Sequence, residues 1–176
     1  MSFTDYVKSG WEVAKLNAEN VRTLSADKEA IGPAIGILAI GGVAAGIGTF
    51  SLGGMFLFPI IRIIGAFIFV AIVHFIATAF FDGKGEFTAF AVPVFCASVI
   101  AWATIIPVIG PFLLGPLTGL WLLVVMVFCV ELVYGIERGK AIAVVAIPLV
   151  VFLIIGFLFL LITGLGLLAL SGRFCI

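Results

Sequence analysis

The chain has 176 residues, 64% of them hydrophobic and only 10% charged, with a formal net charge of zero. Soluble domains average roughly 25% charged residues, so this composition excludes a water-soluble globule and marks an integral membrane protein. With neither a positive net charge nor a basic cluster, nucleic acid is not an expected partner.

Charge is confined to short islands. Between Ile31 and Phe81 the ionisable residues are Arg62 and His74; Phe87 to Val130 holds only cysteines, and Ala141 to Gly172 holds none. Lipid admits helices or closed barrels, because every backbone polar group must be satisfied within the protein. The apolar runs are continuous and do not alternate, which excludes a barrel. The expected fold is therefore all-α and polytopic. A cytoplasmic amphipathic helix over residues 1–29 precedes a membrane domain of five transmembrane helices over residues 30–176.

Residues Ser2 to Ala26 read as one amphipathic helix. Phe3, Tyr6, Val7, Trp11, Ala14, Ala18, Val21 and Leu24 recur at three- and four-residue spacing, while Asp5, Lys8, Glu12, Lys15, Glu19 and Arg22 fill the other face. Glu12 and Lys15 stand at ion-pair spacing. Tyr6 and Trp11 suit the headgroup region, so the helix is expected to anchor on the bilayer, with docking of a cytoplasmic partner as the alternative. The segment lacks the apolar core of a signal peptide, and none is expected.

The first span, Ile31 to Phe50, is rich in glycine. Gly32 and Gly36, and again Gly42 and Gly46, lie four apart, the spacing that lets helix backbones approach closely. Packing within the monomer is the first reading of this stripe, and self-association into a homo-oligomer the second. The second span ends at Phe81, and its start depends on Arg62. Either the helix begins near Met55 with Arg62 snorkelling from inside, or Ile63 to Phe81 makes the crossing. The second version is preferred; Ser51 to Ile61 is then interfacial or re-entrant, with Pro59 as its break.

Phe87 to Val130 gives two spans, divided at Pro107-Val-Ile-Gly110-Pro111. Ala141 begins the fifth, which Gly164-Leu-Gly166 is expected to end or bend. Cys96, Cys129 and Cys175 have no metal-ligand spacing, and within spans cysteine behaves as a small hydrophobe. No metal or other cofactor is expected.

Basic residues set the orientation. With the N-terminus in the cytoplasm, that side holds Lys8, Lys15, Arg22, Lys28, Lys84, Arg138 and Lys140, against Arg62 and Arg173 on the other. Five spans then place the C-terminus outside.

Ionisable groups within a membrane need an account. His74, Lys84, Glu131, Tyr134 and Lys140 converge on the cytoplasmic ends of the second and fourth spans, where they could form one polar cluster. One reading is a clamp, with Glu131 pairing Lys140 or Lys84 and His74 bonding a neighbouring helix. The other is a proton or ion relay through His74 and Glu131, which would make the chain a small transporter or channel. One histidine and one carboxylate make no specific metal site, and the motifs of hydrolases and nucleotide-binding loops are missing, so no enzymatic activity is expected.

Two stretches resemble the Yip (Ypt/Rab-interacting protein) domain family. The first is His74-Phe-Ile-Ala-Thr-Ala-Phe-Phe-Asp-Gly83-Lys84-Gly85-Glu-Phe87, where a histidine-bearing helix runs into a glycine-lysine-glycine turn. The second is Val130-Glu131-Leu-Val-Tyr134-Gly135-Ile-Glu-Arg-Gly139-Lys140-Ala141, which closes one span and opens the last. Pro93 and Pro107 fit the same pattern, and the resemblance covers about residues 30 to 165. It implies a five-helix membrane domain and a non-enzymatic scaffold or adaptor in membrane trafficking or organisation. Its partners would be the lipid bilayer and a cytoplasmic or membrane protein. The cytoplasmic N-terminal segment is short beside that of eukaryotic members, which carry a long polar region and are associated with Rab GTPases. The compact form looks more like prokaryotic members, which favours a cell membrane over an endomembrane.

Overall fold

Helix α1, Phe3–Ala14, starts where its sequence offers a cap. Ser2 Oγ accepts from the Asp5 backbone N–H at 3.3 Å, and Asp5 Oδ2 accepts from the Ser2 N–H at 2.9 Å. The expected single N-terminal helix is broken. Leu16 takes a left-handed conformation, φ 65°, and Asn17 Oδ1 accepts from Glu19 N at 3.0 Å, capping a second helix, α2, Ala18–Ala26. A short amide side chain that captures the next free N–H groups makes restarting the helix favourable here. The expected ion pair between Glu12 and Lys15 forms at 2.6 Å.

This computed structural model describes the backbone of residues 1–171 and the side chains of residues 1–163. Among them, five helices are long and apolar enough to cross a membrane. Helix α3, Ile31–Gly48, is followed by α4, Leu52–Phe80. Helix α5, Phe87–Ala97, continues as a tighter 3-10 helix, Ser98–Ile105. A π-helical turn, Gly110–Leu114, leads into α6, Gly115–Tyr134, and α7 runs from Arg138 to Ser171. Arg173 and Cys175, with the exterior placement expected for that tail, lie outside the described residues.

Helix α4 corrects the expected division at Pro59. It is continuous through Pro59 and Arg62, so the chain does not break at Pro59 and residues 52–61 form no re-entrant loop. The reason lies on α3. A side chain at Gly42 would collide with the backbone of Phe58 and Pro59, and a Cβ at Gly46 would stand 2.5 Å from the Met55 nitrogen. Two glycines thus let α3 lie directly on the proline-bearing stretch of α4 and hold it in register. Of the end or bend expected at Gly164-Leu-Gly166, the end is corrected: α7 runs through both glycines to Ser171. In lipid no water competes for a helix's internal hydrogen bonds, so glycine breaks helices less readily there.

The core is centred on α5. All eight residues from Phe90 to Ala97 are buried, whereas every described residue of α7 from Val150 to Thr163 is exposed. Tyr6, Val13, Ala14, Val21 and Leu24 join the same core as Phe90, Phe95 and Val130. Gly10 meets the Cys96 backbone carbonyl, and Trp121 Nε1 donates to the Ala14 carbonyl at 2.8 Å. The α1–α2 hairpin is therefore docked on the bundle. Tyr6, expected at a headgroup surface beside Trp11, is instead 3% exposed and donates to Asp27 Oδ2 at 2.8 Å; Trp11 remains 51% exposed. An amphipathic helix buries its apolar stripe in whatever apolar surface it meets, and here that surface is α5.

Candidate functional site

Among the described residues the helices have one charged end and one uncharged end. At the uncharged end the α3–α4 turn meets the loop before α6, where the Val108 N–H donates to the Gly48 carbonyl at 3.2 Å. At the charged end the α4–α5 turn and the α6–α7 turn pack against each other.

Tyr134 is the last residue of α6 and is buried. Its hydroxyl lies 2.7 Å from His74 Nδ1, a hydrogen bond that ties α6 to α4 across sixty positions of sequence. The pair sits among aromatic rings: Phe87 meets the His74 imidazole edge-on at 5.7 Å, and Phe90 meets the Tyr134 ring at 5.3 Å. The glycines of the Gly83-Lys84-Gly85 turn close over this ring. A Cβ at Gly85 would stand 2.8 Å from Tyr134 Cδ1 and 2.9 Å from Val133, and one at Gly83 would meet Tyr134 and Ile136. The Gly83 N–H donates to the Ala77 carbonyl at 2.9 Å, and Asp82 takes the left-handed φ of 54° that lets α4 turn. The turn holds Lys84 outward and exposed between exposed Asp82 and Glu86.

Helix α6 ends at Gly135, whose φ of 66° is the left-handed termination that glycine supplies at least cost. The chain then reverses into α7, and Arg138 Nε reaches Glu131 Oε2 at 3.2 Å. This corrects the expected pairing of Glu131 with Lys140 or Lys84. Lys140 lies two residues beyond Arg138 on one helix, about 200° around its axis, and so cannot face the same carboxylate. Of the five residues expected to cluster, His74 and Tyr134 touch; Glu131 pairs outside the set, and Lys84 and Lys140 are exposed. The histidine bond to a neighbouring helix is as expected.

Of the four glycines expected to pack helices, Gly42 and Gly46 lie against the α4 backbone, a Cβ at Gly36 would stand 3.3 Å from the Phe3 ring, and Gly32 has open space around it. The surface offered for self-association is thus largely taken up inside the monomer.

Two further contacts were not foreseen from sequence. Tyr6 bonds Asp27, and this acceptor carboxylate pushes the phenol up to about 12. Trp102 Nε1 donates to the Ile37 carbonyl at 3.1 Å and ties the third span to the first. Each tryptophan or tyrosine in an apolar setting needs a partner for its polar atom, and that need was the available signal. Among the described residues no three His, Cys, Asp or Glu side chains converge as a metal site would require.

A family model described as the Yip1 domain matches residues 11–170, from within α1 to the end of α7. Comparisons with curated proteins and with solved structures found no match.

Proposed function

The chain belongs to the Yip1-domain family of membrane proteins, and on that premise we propose that it is a non-enzymatic multi-pass scaffold or adaptor acting in membrane organisation or trafficking. It works through its charged end. The observation that carries this reading is Tyr134, which locks the two turns of that end into one rigid platform while Asp82, Lys84, Glu86, Glu137 and Lys140 stand exposed on it. A preorganised surface of mixed charge suits recognition of a protein partner, because charge pattern sets partner choice and encounter rate. The excess of basic residues, seven against two, supports a cytoplasmic platform with the far end outside, and the resemblance to compact prokaryotic members favours a cell membrane over an endomembrane.

The transporter reading has less support. His74 spends Nδ1 on Tyr134, and Glu131 lies at the rim beside Arg138. From His74 to Arg62, a distance of about 18 Å along α4, no acidic or histidine side chain lies on any described span between those two depths.

The test is photo-crosslinking in native membranes from probes at Lys84, Glu137 and Trp11. The adaptor reading expects one protein captured from Lys84 and Glu137, and lost on Lys140→Glu at unchanged expression. Capture of lipid alone counts against it, and proton flux in proteoliposomes that Glu131→Gln abolishes would support transport instead.

A further inference from the structure

Arg62 has no place in the platform. It lies ten residues into α4, about 15 Å from the start of the helix and within the apolar span. A cation at that depth is costly unless something neutralises it. Arg62 Nε is shut off from the surface and has no hydrogen-bond partner, and among the described residues no carboxylate lies within 4 Å of the guanidinium.

The fold makes room for this charge. A Cβ at Gly41 would stand 3.1 Å from Arg62 Cζ, so the missing side chain is what lets the guanidinium rest on α3. Gly42 faces Pro59 and Gly46 faces Met55 in the antiparallel pair, which sets Arg62 opposite the turn of α3 before Gly41. The guanidinium therefore reaches toward the uncharged end, the direction a snorkelling arginine takes. Beside it is a cavity of about 310 Å³, walled by Leu38, Ala66, Phe69, Phe95 and Met126. Ile61, on its rim, is 56% exposed, so the cavity opens onto the lipid-facing surface. The Ser98 hydroxyl in its wall already donates to the Phe95 carbonyl at 2.6 Å. The free polar group is the arginine.

We propose that Arg62 and this cavity bind one anionic phospholipid from the leaflet at the uncharged end, the phosphate on the guanidinium and an acyl chain in the cavity. Arginine matches phosphate with paired, charge-assisted hydrogen bonds. The apolar walls suit a hydrocarbon tail. A second copy in the same orientation is a poor source of the anion. The four acidic residues beyond residue 29, Asp82, Glu86, Glu131 and Glu137, lie at the charged end, so the spans of such a copy bring no carboxylate to the depth of Arg62.

The experiment is native mass spectrometry of the purified full chain, offered equal amounts of phosphatidylglycerol and phosphatidylcholine in detergent. The wild type is expected to retain one phosphatidylglycerol in preference, and Arg62→Gln to lower that retention about tenfold, the loss of roughly one charge-assisted contact. A second variant guards against misfolding. A Cβ at Gly65, on the cavity rim, meets nothing within 4 Å, so Gly65→Leu starts from open space, is expected to narrow the mouth and should lower retention similarly. Equal retention of both lipids by the wild type, or unchanged retention in Gly65→Leu, overturns the proposal. So does a photo-crosslinker at Ile61 that captures a protein and no lipid.

Discussion

His74 on α4 and Tyr134 at the end of α6 share a hydrogen bond of 2.7 Å, and the glycines of the α4–α5 turn close over the tyrosine ring. The turn, the histidine and the tyrosine therefore act as one unit, and substitutions in it should not be additive. Tyr134→Phe removes the hydroxyl from this bond and is expected to cost about 0.5–1.5 kcal/mol. His74→Leu leaves the buried hydroxyl without a partner and should cost more, about 1–3 kcal/mol. The double variant should lose less than the sum of the two. Equilibrium unfolding in mixed micelles reads all three, and strict additivity would mean that the bond contributes nothing.

The ion pair of Glu131 and Arg138 predicts a smaller effect. The Arg138 side chain is 71% exposed, and pairs at such sites contribute at most about 1 kcal/mol. Glu131→Ala should lower the melting temperature slightly in low salt and less in high salt, whereas Lys140→Ala should leave it unchanged. A drop on Lys140→Ala as large as that on Glu131→Ala would mean that the carboxylate pairs with Lys140 after all.

Tyr6 carries a pH prediction. The Asp27 carboxylate holds its phenol up to about 12, above the usual value of 10.0. The folded state thus binds the proton more tightly than the unfolded state. This contribution is fully present below about pH 10, the unfolded value, and is lost as the pH rises through about 12. The chain has two tyrosines, so in Tyr134→Phe the alkaline tyrosinate absorbance reports Tyr6 alone. It should appear near 12, and Asp27→Asn should bring it down. An ordinary midpoint near 10 in Tyr134→Phe would show that the hairpin contact does not form.

Gly46 and Gly32 make a contrasting pair on α3. Gly46→Leu drives a side chain into the Met55 backbone and is expected to cost about 3 kcal/mol or more, seen as loss of monodisperse protein in detergent. Gly32 has open space, so Gly32→Ala should be neutral or stabilising by up to about 1 kcal/mol. If the two behaved alike, the close approach of α3 and α4 would be wrong.

Much of the charged end was legible in the sequence, because glycine turns, charges and polar aromatic residues are rare enough between the apolar runs to carry information. Gly83-Lys84-Gly85 and Tyr134-Gly135 marked the two turns, and His74 stood out as the lone histidine. Their contact was not legible in detail. That Arg138 and not Lys140 meets Glu131 depends on how Gly135 reverses the chain and on the phase of α7 at its first turn.

The sequence by itself determined five membrane spans and an uneven distribution of basic charge between their ends. These follow from costs that add residue by residue, namely burying a charge in hydrocarbon or leaving a peptide group unpaired there. Only the tertiary structure decided that α5 is the hub, that Tyr6 turns inward to Asp27, and that α4 runs unbroken through Pro59 and Arg62. In lipid the exterior of a bundle is as apolar as its interior, so a span's residues look alike whichever way they face. The periodicity that distinguishes inside from outside in water vanishes, and contacts between distant helices make the choice.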